Sequence, residues 1–216
     1  MNTAPAPAAR STGEDKAPFR LVVILAVLGM FGPFSIDTAF PAFARMGEDL
    51  SSSPAAMQQV VSVYMLAFAS MSLFHGPLSD ALGRKPVMIA GSLGYVLASA
   101  VCALAPTLPL VLTGRALQGF TAGAATIVSR AVVRDLYDGP AAQRLMSAIA
   151  MVFAIGPGVA PVFGGWLLLT GTWRSIFWAL SIYGLVVAVS SRSPFRSPSH
   201  SMSVVRSDPD PSSATS

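Results

Sequence analysis

The stretch GPLSDALGRK, residues 76–85, places an aspartate, an arginine and a lysine between two long apolar runs. Charge is scarce in this chain, because Asp, Glu, Lys and Arg make up only 11% of its 216 residues. A connection that only reversed the chain could have any polar sequence. This one combines glycines, which allow tight backbone paths, with opposite charges that can form pairs. We therefore interpret residues 76–85 as a short charged turn between two membrane helices, with a role beyond linking them.

The composition of the chain identifies its broad class. Hydrophobic residues make up 53% of the sequence, and a soluble domain of this size would have to expose much of that surface to water. A membrane protein is the natural class. The formal net charge is +4, but the basic residues lie at the ends of apolar segments and form no single patch, which favours orientation in a membrane over nucleic-acid binding.

Six apolar segments approach the length of about 20 residues that spans the hydrocarbon core of a bilayer. They predict an all-α, polytopic, six-helix membrane bundle within residues 19–191. Residues 1–18 and the Ser/Pro-rich residues 192–216 are expected to be disordered tails, because their composition cannot build a core. The predicted spans cover about 19–42, 57–76, 85–106, 109–130, 144–169 and 173–191.

The distribution of basic residues predicts the topology. If the N-terminus is cytoplasmic, the inside segments hold eleven of the 14 Lys and Arg residues, the outside segments hold Arg45 and Arg174, and Arg115 lies within a span. Cytoplasmic loops carry such an excess of basic residues. We therefore expect a multi-pass protein with both termini in the cytoplasm.

The fourth predicted span contains both small and polar residues. Gly119 and Gly123 form a small-xxx-small pair, so this helix is expected to face protein instead of lipid. Arg115 stays charged in a protein and needs a carboxylate, carbonyls or water as partners. It either snorkels to the outer surface or, together with Gln118 one turn further on, forms a polar lining.

The first predicted span contains one acidic residue, Asp37, shortly before Pro41. A carboxyl group at membrane depth costs roughly 3 kcal/mol on insertion scales, so it would face a cavity or a partner and could exchange protons near neutral pH. The alternative is that the helix ends near Pro41 and that Asp37 is hydrated at the outer interface. Both interpretations remain open from the sequence.

The fifth predicted span concentrates helix-disrupting residues, which indicates a bend or a moving element. A membrane helix tolerates such residues because neighbouring helices support it. The residues concerned are Gly156, Pro157, Gly158, Pro161, Gly164 and Gly165.

No catalytic or cofactor-binding motif is evident in the sequence. His75 has no second ligand at metal spacing, and there is neither a nucleophile elbow nor a glycine-rich phosphate loop. We therefore expect no enzyme activity, no metal and no cofactor.

Three motifs, in order, resemble the major facilitator superfamily, and within it the Bcr/CflA-type drug:proton antiporters. The pattern G-x-L-x-D-x-x-G-R-K at 76–85 is similar to motif A, L-x-x-R-x-x-Q-G at 112–119 to motif B, and G-x-x-x-A-P-x-x-G-G at 156–165 to motif C. Ala81 departs from motif A, where a basic residue is usual, and Ala160 replaces the usual glycine of motif C. The D-x-x-x-P pattern at 37–41 and RAVVRD at 130–135 are also similar to that group.

The resemblance implies a secondary transporter of the bacterial inner membrane that exports drugs or small amphipathic molecules, driven by inward proton flow and alternating access. It implies a proton or substrate path at Asp37, Arg115 and Gln118. It also implies a helix bend at the fifth span and a cytoplasmic gate formed by Gly76, Asp80, Gly83, Arg84 and Lys85.

Members of this family have twelve or fourteen spans, so six spans resemble the N-terminal half alone. The expected partners are the lipid bilayer, protons, a small-molecule substrate, and a second six-helix half or a second copy of the chain. The abrupt change at residue 192 is what an out-of-frame tail would give. The alternative function is a non-transporting membrane remnant or interaction protein.

Overall fold

The computed structural model describes residues 27–136 and 139–191. Both predicted tails and residues 19–26 of the first predicted span lie outside the described residues. Within these ranges the ordered elements are helices. Residues 27–29 are α-helical, and after them come seven α-helices and a short 3-10 helix, Phe40–Ala42, between the first two of the seven. The α-helices are α1 Phe31–Asp37, α2 Phe43–Asp49, α3 Pro54–Leu82, α4 Arg84–Leu104, α5 Leu108–Leu136, α6 Gly139–Thr170 and α7 Trp173–Ser190.

Five of these helices, α3 to α7, are long and apolar enough to cross a membrane. The predicted class, an all-α polytopic membrane protein, is confirmed. The count of six spans stays a prediction, because the first predicted span is only partly described.

The described part of that first span is interrupted. The helix α1 ends at Asp37, and the chain then passes through the 3-10 helix into α2, which ends at Asp49. The amide of Ala39 donates to the carbonyl of Ile36 at 3.2 Å, a tighter pattern than that of an α-helix, and Pro41 has no amide hydrogen with which to continue the ladder. In the described part of the predicted span over 19–42 the α-helix therefore gives way to a tighter helix after Asp37, and the extent of the whole span stays a prediction.

The expected turn at residues 76–85 is corrected. Gly76 to Leu82 form the last turns of α3, and only Gly83 lies between α3 and α4. Gly83 has a φ of 92°, a conformation that residues with a Cβ rarely adopt. The connection is therefore a helix–glycine–helix corner. Helix α5 likewise continues past residue 130, where the predicted fourth span ends, and α6 begins before residue 144, where the predicted fifth span starts. In both places the helix includes polar sequence that lies outside the apolar run.

The core is organised around α5. In its most apolar 18-residue window 61% of the residues are buried, against 22% in α3 and in α6. A Cβ on Gly119 would overlap the carbonyl oxygen of Tyr64, and one on Gly123 would lie 2.9 Å from Nδ1 of His75. Both glycines thus let α5 approach α3 closely, which confirms the prediction that this helix faces protein.

Candidate functional site

Arg115 lies at the centre of the bundle and is fully buried. Its Nε donates to the carbonyl of Val60 on α3 at 3.1 Å. Its Nη1 donates to the carbonyl of Ser35 on α1 at 3.3 Å and to Oε1 of Gln118 at 2.9 Å. The guanidinium carbon lies 4.2 Å from the ring centroid of Tyr64. One side chain on α5 therefore holds α1 and α3.

The charge of Arg115 is compensated without an acid. In the described part of the chain its guanidinium makes no ion pair, and its Nη2 has no hydrogen-bond partner. Carbonyl and amide dipoles and the negative face of an aromatic ring take the place of a carboxylate. The structure thus places Arg115 between helices, where it neither snorkels to the outer surface nor lies open to a cavity.

Gln118 extends this contact to α4. Its Nε2 donates to Oγ of Ser99 at 2.6 Å, and the hydroxyl of Ser99 donates to the carbonyl of Tyr95 at 2.8 Å. Gln118 and Ser99 are both fully buried. The amide of Gln118 is therefore held from two sides, by Arg115 and by α4.

A second hydrogen-bonded path reaches α1. The hydroxyl of Tyr95 bonds to Oγ of Ser35, which itself donates to the carbonyl of Phe31 at 2.7 Å. The hydroxyl of Tyr64 donates to the carbonyl of Gly32 at 3.2 Å. With Arg115, these contacts join α1, α3, α4 and α5 in one buried polar network.

Sequence reasoning missed Ser35, Tyr64, Tyr95 and Ser99. A signal for two of them was present on α4, where Ser92, Tyr95, Ser99 and Cys102 recur at helical spacing in an otherwise apolar run and are all buried. A polar stripe of this kind indicates a face that packs against other polar groups in a membrane bundle.

Asp37 lies apart from this network. It is the last residue of α1 and is half-buried, and in the described ranges it makes no ion pair. The chain continues from this helix end through the 3-10 helix into α2, and the place of Asp37 in a proton path stays a prediction. The structure does not bring its carboxylate together with Arg115, although the carbonyl of Ser35, two residues earlier, accepts from Arg115.

The corner at Gly83 is surrounded by charge pairs. Nη1 of Arg84 lies 2.5 Å from Oδ1 of Asp80, and its Nε lies 3.0 Å from Oδ2 of Asp135 at the end of α5. Arg84 also donates to Oγ of Ser79 at 2.5 Å, and Ser79 donates to the carbonyl of Gly76 at 2.8 Å. The pair with Asp135 was not expected, and it joins the α3–α4 corner to α5.

The other two residues of the predicted gate differ in exposure. Gly76 is half-buried and has open space beside it, whereas Lys85 is exposed in the first turn of α4. Their role in a gate stays a prediction.

The residues of the predicted bend lie on different faces of α6, which stays helical through Pro157 and Pro161. A Cβ on Gly164 would overlap the carbonyl oxygen of Thr38, and one on Gly156 would lie 3.3 Å from the methyl group of Met30. Gly165 has open space beside it. Gly164 is therefore a packing position against the chain after α1, and the bend itself stays a prediction.

A cavity of about 720 Å³ lies between α2 and the start of α3. Its walls include Phe43, Glu48, Ser52 and Gln58, but none of the residues of the predicted proton or substrate path. The polar network around Arg115 is instead tightly packed, so its contribution is to position helices and charge.

Comparison with known proteins adds to this geometry. The family model described as Major Facilitator Superfamily matches residues 24–212. Multidrug resistance protein MdtL of Escherichia coli is 36% identical over 172 residues, which cover 80% of this chain and 44% of that protein. Bicyclomycin resistance protein homolog of Haemophilus influenzae is 32% identical over 175 residues, which cover 81% of this chain and 44% of that protein.

Solved structures share the fold. The D-xylose–proton symporter superposes with a TM-score of 0.71 at 14% sequence identity, over 83% of this chain and 49% of that one. The chain spans less than half the length of the curated relatives given above. The family match covers most of the sequence, and the chain belongs to the Major Facilitator Superfamily.

Proposed function

We propose that this chain is one six-helix half of a proton-coupled transporter in a bacterial inner membrane that exports drugs or small amphipathic molecules. The observation that carries the proposal is the fully buried Arg115, which bridges α1 and α3 without an acid partner in the described residues. A permanent charge at membrane depth is costly and marks functional sites. The relatives named for multidrug and bicyclomycin resistance support the direction and the substrate class.

In this proposal Asp37 binds and releases the coupled proton, while Arg115 and Gln118 fix the end of α1 on which Asp37 lies. The corner formed by Gly76, Asp80, Gly83, Arg84 and Lys85 acts as the cytoplasmic gate. Motif C of α6 supplies the bend that lets the halves rock around a central path.

The partners follow from the same proposal. A central path between two halves needs a second six-helix unit, which is either a separate half or a second copy of this chain. The other partners are protons, the transported molecule and the lipid bilayer, with no nucleic acid. Both termini lie in the cytoplasm, and the role is transport, not catalysis.

The test is proton-driven dye efflux in proteoliposomes that contain the purified chain, with and without the second half of a relative such as MdtL. We expect efflux when a pH gradient is applied, and we expect Asp37→Asn to abolish it. Glu48→Gln is the matched control, because Glu48 is an exposed acid on α2 and its loss should leave the rate unchanged. Efflux that survives Asp37→Asn would remove Asp37 from the proton path.

A second candidate function is a non-transporting membrane remnant or interaction protein. It is favoured by the tight packing around Arg115 and Gln118, which are fully buried and have no open path beside them in the described residues. Absence of efflux in both preparations, with the chain correctly folded, would favour this alternative.

A further inference from the structure

The amide of Gln118 has two chemically different ends. Its oxygen accepts from Arg115 and lies 3.9 Å from Sγ of Cys102, and its nitrogen donates to Ser99. Arg115 can only donate hydrogen bonds, so the atom that it contacts at 2.9 Å must be the amide oxygen. The nitrogen end then faces Ser99 at 2.6 Å. An amide turned by 180° would place its NH₂ group against the guanidinium, donor against donor.

Ser99 selects the same orientation as Arg115, from the nitrogen end of the amide. Its single hydroxyl hydrogen is used for the carbonyl of Tyr95, at 2.8 Å, so toward Gln118 its oxygen is an acceptor only. An acceptor at that position selects the nitrogen end of the amide. Both residues are fully buried, and water cannot easily replace the lost partner.

We propose that Ser99 is a positioning residue that orients the Gln118 amide and thereby supplies an oxygen acceptor to Arg115. This inference rests on the proposed role of Arg115, which it deepens. Ser99 acts on Arg115 only through Gln118 and lies outside the expected path of protons. Loss of its hydroxyl leaves the nitrogen end of the amide without its acceptor. The amide oxygen, one of the three acceptors that hold the guanidinium, is then less firmly placed.

The chain offers a matched control on the same helix. Ser92 is also fully buried on α4, and its hydroxyl also donates to the carbonyl four residues earlier, that of Met88, at 2.8 Å. Ser92→Ala therefore removes the same atom and the same kind of bond as Ser99→Ala. It differs because the amide of Gln118 donates to Ser99 and not to Ser92.

The experiment compares both serine variants in two backgrounds, the wild type and Gln118→Glu. A glutamate has two oxygen ends, so both orientations offer Arg115 an acceptor and Ser99 is no longer needed. In the wild-type background we expect Ser99→Ala to slow proton-driven efflux about tenfold, as expected for one buried donor left without its partner, and Ser92→Ala to change it less than about twofold. In the Gln118→Glu background we expect Ser99→Ala to change the rate by less than about twofold.

Thermal unfolding of the same proteins in detergent tests the positioning role without transport. We expect Ser99→Ala to lower the apparent melting temperature by about 3 °C in the wild type and by less than half of that in the Gln118→Glu background. A shift equal in both backgrounds would show that Ser99 only packs, and it would overturn the proposal. Absence of efflux in the wild-type protein would overturn the proposed function instead, and the unfolding comparison would still decide the role of Ser99.

Discussion

A buried arginine needs acceptors for its N–H groups. Arg115 finds three of them for Nε and Nη1, in the carbonyls of Ser35 and Val60 and in the amide of Gln118, while Nη2 has none in the described residues. The planar guanidinium reaches all three because its donors point outward in a fixed fork. The ring of Tyr64 covers one face. The charge is thus accommodated by geometry, and a different cation at this position would not satisfy the same atoms.

We therefore predict that Arg115→Lys destabilises the protein although it keeps the charge. A lysine ammonium is a compact charge on a flexible stem and cannot bridge α1 and α3 together, so buried oxygens lose their donor at a cost of about 1–3 kcal/mol each. Thermal unfolding in detergent measures the effect. Arg130→Lys is the control on the same helix, because Arg130 is exposed; equal shifts for the two variants would contradict the bridging role of Arg115.

At the scale of elements, adjacent glycines of α6 have different surroundings. Gly164 touches the backbone of Thr38, whereas Gly165 has open space beside it. We predict that Gly164→Ala destabilises the contact between α6 and the chain after α1 by about 1–3 kcal/mol, because the added methyl group meets backbone that cannot rotate away. Gly165→Ala should be neutral, and unfolding of both variants compares them. A larger effect at Gly165 would show that the open face is covered in the membrane.

The corner between α3 and α4 is expected to be weakly held by its charges. Asp80 and Asp135 have side chains that are 63% and 51% exposed, so their pairs with Arg84 are partly screened by water. We predict that a double-mutant cycle on Arg84 and Asp135 gives a coupling energy of about 0.2–1 kcal/mol, which decreases at high salt. A much larger coupling, unaffected by salt, would mean that this corner is buried against a partner.

The contrast between α5 and α4 shows how far the sequence predicts the elements. The small-residue face of α5 was predictable, because Gly119 and Gly123 lie one helical turn apart and closeness of approach depends on size alone. The partners of Arg115 were not, since backbone carbonyls carry no sequence signal and their positions depend on how α1 and α3 are rotated. Ser99 resembles Ser92 in sequence, and only the packing of α5 against α4 distinguishes them.

At the scale of the whole molecule, the charge pattern makes the orientation in the membrane testable. Eleven basic residues on one side against two on the other predict that residue 55, at the start of α3, lies outside, and that residue 134, near the end of α5, lies inside. Both side chains are exposed. We expect a membrane-impermeant maleimide to label Ala55→Cys in intact cells and Arg134→Cys only after lysis. The native Cys102 is buried and should not react. The reverse pattern would invert the topology.

The outer faces of α3 and α6 carry the last prediction. These two helices are the least buried of the five membrane-length helices in the described ranges. Their exposed faces carry large apolar side chains such as Leu66 and Leu169, but they also include Ser62 and Ser70 on α3 and Pro157 and Gly158 on α6. Small and polar residues are typical of contacts between membrane helices, whereas lipid-facing surfaces are apolar and need no such residues. We therefore expect the native membrane to contain this chain in a complex with a second six-helix unit. The test is the mass of the complex after extraction in native lipid. Gly158→Leu should reduce this mass because it blocks the small face, whereas Leu169→Ala, the control for an exposed apolar side chain, should leave it unchanged. A mass equal to one chain for the unmodified protein would show that these faces meet lipid alone.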